Sequence, residues 1–187
     1  MYSMFPMPLP TVLVILAEGF EEIEAVTSVD ILRRAGAEVK IAALGEGIHV
    51  TGRCGVTLHA DSTLESVAES RFDCLLLPGG PGVARLRNDP RVSGRVKRQL
   101  EENGWIAAIC AAPLALKDVG ILHGKRFTAH FSVSPELPDA LLDERAVADG
   151  RLITSRGAGT AVDFALLLVE RLFSVEKANE VAKSISA

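Results

Sequence analysis

Cys110 closes the apolar run Gly104-Trp105-Ile106-Ala107-Ala108-Ile109 and precedes Ala111-Ala112-Pro113-Leu114-Ala115-Leu116, the pattern of a strand turning into a helix. A nucleophile at such an elbow is lifted above the carboxyl end of its strand and faces backbone N–H groups suited to an oxyanion. It also lies at a helix N-terminus, which favours thiolate over thiol. Small neighbours allow the tight bend. A free cysteine in an apolar segment is more often a plain core residue; placement at a strand end is what argues for chemistry here.

A second apolar strand ends in Leu77-Pro78-Gly79-Gly80-Pro81-Gly82. Its glycines permit successive N–H groups to point into a cleft and hold an anion or oxyanion, with an ordinary turn as the alternative. Neither G-x-G-x-x-G nor G-x-x-x-x-G-K-[ST] occurs, so nucleotide binding has little support. Glu18, Glu21, Glu22 and Glu24 cluster just after the first strand, where carboxylates suit the positive end of the next helix. Glu24 differs, because Ser28 and Ile31 share its helical face and turn it inward. A partly buried glutamate with a raised pKa donates a proton or hydrogen-bonds a thiolate. His130, after Phe127-Thr128-Ala129, is a candidate for the same strand-end cleft, with a surface or core histidine as the rival reading. His49, His59 and His123 lie near loop-like segments without a partner at metal-ligand spacing, and no metal site is expected.

The elements that must position these groups follow from periodicity. Apolar runs at Val12 to Ala17, Val39 to Ala43, Cys74 to Leu77 and Trp105 to Ile109 alternate with helical patterns, as in repeated βαβ units. Ile23, Val26, Val29 and Leu32 recur every three residues and Gly36 follows Arg33-Arg34, predicting a helix over Glu21 to Ala35. Asp89-Pro90 opens another, whose Val92, Val96 and Leu100 form an apolar stripe before Asn103-Gly104. Asp149-Gly150 between two apolar segments predicts a β-hairpin. Ala161 to Phe173 and Glu176 to Ile185 read as terminal helices, while 46–61 is the segment that periodicity defines least.

With 187 residues, 48% of them hydrophobic, and no internal repeat or linker, the chain reads as a single domain over 1–187, with 1–10 as a flexible extension. Few aromatics and many Ala, Val, Leu and Ile favour an α/β class. The net charge of −4 lacks the positive field of a non-specific nucleic-acid binder. Residues 85–98 carry six Lys or Arg against Asp89 alone, read as the solvated side of a helix. The uncharged start resembles a signal peptide but has no Lys or Arg before Arg33, and its apolar run is too short to span a bilayer; a core strand and a cytoplasmic location are expected. Cys54, Cys74 and Cys110 are odd in number and widely spaced, which argues against a disulfide framework or zinc site.

On Val14 to Glu24 (VILAEGFEEIE), Val29 to Gly36 (VDILRRAG), Leu77 to Gly80 (LPGG), Ala107 to Pro113 (AAICAAP) and Thr154 to Thr160 (TSRGAGT), the sequence resembles the ThiJ/PfpI superfamily, closest to its parkinsonism-associated deglycase-like branch. The resemblance covers nearly the whole chain. It implies a flavodoxin-like three-layer α/β sandwich with a mostly parallel central sheet, a nucleophile elbow and a homodimer. It also implies Cys110 as the reactive cysteine, Glu24 as the acid on its sulfur, Gly80 and Ala111 as oxyanion-side amides, His130 as the histidine near the thiol, and Arg53 on the dimer-proximal side. Phe131-Ser132-Val133 departs from the usual sequence after that histidine.

Ala111 stands where the protease-like branch has histidine, and the His-x-Glu pair of glutamine amidotransferases is absent, so both activities are disfavoured. The resemblance therefore implies a cofactor-free enzyme acting on α-oxoaldehydes such as methylglyoxal or glyoxal, or on their early glycation adducts. No membrane or specific nucleic-acid partner is expected. The rival is a redox sensor or holdase chaperone that uses oxidation of Cys110, since a low-pKa exposed thiol suits either role.

Overall fold

The computed structural model describes residues 8–187. In chain order the elements are β1 (Thr11–Leu16), α1 (Glu22–Ala35), β2 (Glu38–Ala43), β3 (His49–Thr51), β4 (Thr57–His59), β5 (Ser62–Thr63), β6 (Cys74–Leu77), α2 (Val83–Asn88), α3 (Pro90–Glu101), β7 (Trp105–Ile109), α4 (Pro113–Asp118), β8 (Ala146–Asp149), β9 (Leu152–Ser155), α5 (Ala161–Leu172) and α6 (Val175–Ser184). Of the expected 1–10 extension, 1–7 lie outside the described residues. Pro10 is already tied down, its carbonyl accepting the Glu38 N–H at 2.9 Å.

Seven strands form one sheet in the order β5-β2-β1-β6-β7-β9-β8, parallel throughout except for β8, which runs antiparallel to β9. Alternate residues of the central strands feed two cores. Val12, Val14, Leu16, Leu76, Ala107 and Ile109 pack toward α1, α5 and α6, whereas Leu13, Ile15, Leu75, Leu77, Ile106 and Ala108 pack toward α2, α3 and α4. The result is a flavodoxin-like three-layer sandwich. The apolar run near the amino end is its interior strand β1. The Asp149-Gly150 hairpin is present, with positive φ only at Gly150. The weakly defined stretch 46–61 holds the small antiparallel hairpin β3-β4.

Three expectations require correction. On α1 the three-residue spacing drifts around a helix of 3.6 residues per turn, so Ile23 is 55% and Val26 45% exposed, and the inward face is Glu24, Ala25, Ser28, Ile31 and Leu32. On α3, Val92 and Val96 are buried but Leu100 is 46% exposed; Arg95 and Gln99 complete that face. The basic segment is accordingly not a free solvated side. Arg95 donates to the Ser70 carbonyl and lies over the Phe72 ring, and Arg98 donates to the Ala68 and Glu69 carbonyls. Arg87 pairs with Asp118 and Glu136, and Arg91 with Asp89.

Gln99 is fully buried and donates to the Phe72 carbonyl at 2.8 Å. Gln99→Ala is expected to cost about 1–3 kcal/mol by leaving that carbonyl unpaired, whereas Leu100→Ala stays within about 0.5 kcal/mol. Urea unfolding of both variants checks the order; a larger loss for Leu100→Ala would contradict the observed face.

Candidate active site

The carboxyl ends of β1, β6 and β7 converge beside the point where strand order reverses, the usual binding crevice of an open α/β sheet. Cys110 follows β7 directly and adopts φ 64°, a left-handed conformation uncommon for a side chain other than glycine. Two flanking segments hold this bend. The Cys110 N–H donates to the Ser155 carbonyl at 2.8 Å, and the Cys110 carbonyl accepts from the His130 N–H at 2.9 Å. Ser155 is itself fixed through Oγ to Thr160 Oγ1 at 2.7 Å and to the Arg145 carbonyl at 2.7 Å.

Glu24 enters from the first turn of α1 with no exposed surface. Its Oε2 accepts the Gly79 N–H at 2.7 Å, while Oε1 has no hydrogen-bond partner. A side chain at Gly79 is excluded: its Cβ would stand 2.5 Å from Cys110 Cβ and 2.7 Å from Glu24 Oε2, so the cysteine and the acid both pack on the bare α-carbon. Gly80, at φ 91°, is equally constrained, since a Cβ there would meet the Gly19 carbonyl at 2.5 Å. The Leu-Pro-Gly-Gly segment is thus a tight floor that brings β6 against α1 and the elbow.

Burial pushes Glu24 up to about 7, opposed by the Gly79 amide and by hydrogen bonding with Cys110. Burial also pushes the Cys110 thiol up to about 12, with the charge and hydrogen-bond acceptance of Glu24 adding to the rise; the Gly80 and Ala111 amides act the other way. The expectation that the helix N-terminus would favour thiolate over thiol is met by an opposing effect of burial. α4 has only six residues, and desolvation outweighs it. A protonated Glu24 removes both of its own contributions to the rise, so the acid and the thiol act as a pair around one proton. Cys74, inside the sheet, is pushed up by burial as an inert core thiol.

The other candidates gather around this pair. Arg53 sits on the loop between β3 and β4, half exposed, with Nη1 3.3 Å from Glu21 Oε2, and its charge acts on Glu24. The His130 backbone is bound to the elbow, but its Nδ1 lies 2.8 Å from Ser132 Oγ, and no hydrogen bond joins the ring to the thiol among the described residues. Its ring lines a cleft of about 400 Å³ shared with Phe131, Leu142, Arg156 and Gly157. Arg156 and Leu142 had no assigned role in the sequence; the pairing of β7 with β9, which sets Ile109 beside Ser155, is what brings their segment to the elbow. Neither this cleft nor a larger one of about 710 Å³ near Glu18, Leu44 and Asn88 is lined by Cys110 or Glu24.

Because Glu24 binds its proton more tightly folded than unfolded, the folded state holds more protons between about pH 4.5 and 7. The stability this contributes is complete below about 4.5 and is lost as pH rises through about 7. Glu24→Gln is expected to remove about 3 kcal/mol of that decline. Urea midpoints of both proteins across this window check it; parallel curves would contradict the protonated carboxyl.

The DJ-1/PfpI family matches residues 10–171. The protein dj-1beta of Drosophila melanogaster is 43% identical over 177 residues, covering 92% of this chain and 95% of that protein. Its crystal structure superposes with a TM-score of 0.93 at 41% identity, covering 96% of this chain and 99% of the other. A Caenorhabditis elegans protein named glutathione-independent glyoxalase DJR-1.2 is 36% identical over 173 residues, covering 90% and 91% of the two chains. A shared sandwich, and identity sustained along nearly the full length of both chains, show that this chain belongs to the DJ-1/PfpI family.

Proposed function

We propose that the protein is a cysteine-dependent, cofactor-free enzyme of the glyoxalase or deglycase type, converting α-oxoaldehydes such as methylglyoxal, or their early glycation adducts, to hydroxy acids. The observation that carries this reading is the packing of Cys110 and the buried Glu24 on Gly79, with the Gly80 and Ala111 amides acting on the sulfur. The glyoxalase name borne by the Caenorhabditis elegans relative supports it.

In this reading Glu24 takes the proton of Cys110, and the sulfur attacks the aldehyde carbon. A C–S bond forms and the carbonyl electron pair moves to oxygen, beside the Gly80 and Ala111 amides. Protonation of that oxygen gives a hemithioacetal. A proton then leaves the former aldehyde carbon and is returned to the neighbouring ketone carbon, with Glu24 and His130 as the groups that move it. This internal shift oxidises the first carbon and reduces the second, so no external oxidant is required. Water cleaves the resulting thioester, breaking the C–S bond and releasing lactate and the thiol. Arg53 and the cleft beside His130 serve to orient the substrate.

The test is lactate formation from methylglyoxal without glutathione. Multiple turnovers are expected from the native chain and none from Cys110→Ser, with a loss of about 100-fold or more in Glu24→Ala. Absence of lactate from folded, reduced protein would overturn the reading, and unchanged turnover in Glu24→Ala would overturn the role of the acid.

A homodimer belongs to the same proposal. Ile23 and Val26 are exposed on α1, and Val56 is exposed on the loop that the Glu22 carboxylate ties to this helix by accepting the Cys54 and Val56 N–H groups. Sedimentation should give twice the chain mass for the native protein and a shift toward monomer for the Ile23→Glu, Val26→Glu double variant; a monomeric native protein would contradict it.

A further inference from the structure

The hairpin of β3 and β4 brings together two histidines that the sequence separates by ten positions. His49 is directly opposite His59, Val50 opposite Leu58 and Thr51 opposite Thr57. The Ala60 N–H donates to the Ile48 carbonyl and the Gly52 N–H to the Val56 carbonyl. Those hydrogen-bonded pairs alternate with non-hydrogen-bonded ones, so His49 and His59 occupy a pair of the closer kind, in which facing side chains are nearest. Val50 is buried on the opposite face, and both histidines are exposed. The next pair along their face is already in contact, Thr51 Oγ1 lying 2.9 Å from Thr57 Oγ1.

The imidazole centroids are 4.9 Å apart, with planes at 82°. An ion bound in the plane of an imidazole at about 2.0–2.1 Å from nitrogen lies about 3.2 Å from the ring centroid. Two such rings at angles between square-planar cis and tetrahedral then have centroids separated by about 4.5–5.2 Å. The observed separation falls inside that range. We propose that His49 and His59 form a two-imidazole site for a divalent transition-metal ion of the zinc, nickel or copper class. Among the described residues no cluster of three or more His, Cys, Asp or Glu could hold a metal, so water completes the sphere.

The position gives the site a consequence. The Thr51 carbonyl accepts the Gly19 N–H at 2.8 Å, and the Arg53 N–H donates to the Phe20 carbonyl at 2.9 Å, so the hairpin is bonded to the segment that leads into Glu24. An ion clamping β3 to β4 stiffens the support of Arg53.

The test is titration of Zn(II) into the reduced full chain with ¹⁵N-labelled histidine, read by NMR of the ring nitrogens. His49 and His59 are expected to respond together along one saturation curve with a stoichiometry of one ion per chain. His59→Gln should weaken the His49 response by about tenfold or more, and His49→Gln the reverse. Backbone amide shifts of Val50 and Leu58 in the variants report that the hairpin is intact. The proposal is overturned if neither ring responds, if His49 responds equally well in His59→Gln, or if Cys54→Ser abolishes binding while the histidine variants keep it.

Discussion

Everything at the strand ends is arranged around a carboxyl group from which water has been removed. Glu24 lies on the inward face of α1 with Ser28, Ile31 and Leu32, and a buried carboxylate without partners would cost several kcal/mol. One oxygen is answered by the Gly79 amide; the other has no hydrogen-bond partner and is left to its own proton. That requirement reaches outward. It needs a glycine two residues beyond β6 so that the amide can approach, and it needs β7 to turn sharply at Cys110 so that the thiol sits on the same α-carbon. Ser155 must then hold the turned amide from β9. Three neighbouring strands are set by one desolvated group.

The same burial decides the chemistry of the thiol. A short helix and two amides favour the anion, yet desolvation dominates, and an ionised Glu24 would oppose a second negative charge beside it. A single charge shared between sulfur and carboxyl satisfies both constraints, since whichever group carries the proton can donate it to the other. Reactivity of this cysteine is therefore a property of the pair and depends on the protonation of Glu24 as much as on its own exposure.

Much of this was legible in the residue order. Strands buried on both faces show themselves as continuous apolar runs, so β6 and β7 are found to the residue, and the Asp89-Pro90 start of α3 has its capping chemistry written out. The inward aim of Glu24 follows from Ser28 and Ile31 at helical spacing. What was not legible depends on partners far away in the chain. Ile23, Val26 and Leu100 look like core because apolar character was counted without knowing which face met the sheet. Arg95 and Gln99 look like solvent residues, although the 68–72 loop supplies the carbonyls that let them be buried. His49 and His59 meet only through antiparallel register, and Arg156 reaches the cleft only because β9 pairs with β7. Each of these is a long-range fact that local periodicity does not contain.

The sheet's two margins are unequal to its interior. β5, at one side, has two residues, and β8, at the other, has four and runs against the direction of its neighbours. An edge strand with free N–H and C=O groups is a template on which another chain can add, and short edges blunt that template. A stranger strand docking here would find two residues of ladder on one side. On the other it would find four, ending at Asp149, whose carboxylate already accepts the Arg126 N–H. Edge-to-edge addition thus meets only short ladders at both margins of a sheet whose interior is dominated by β-forming aliphatic residues.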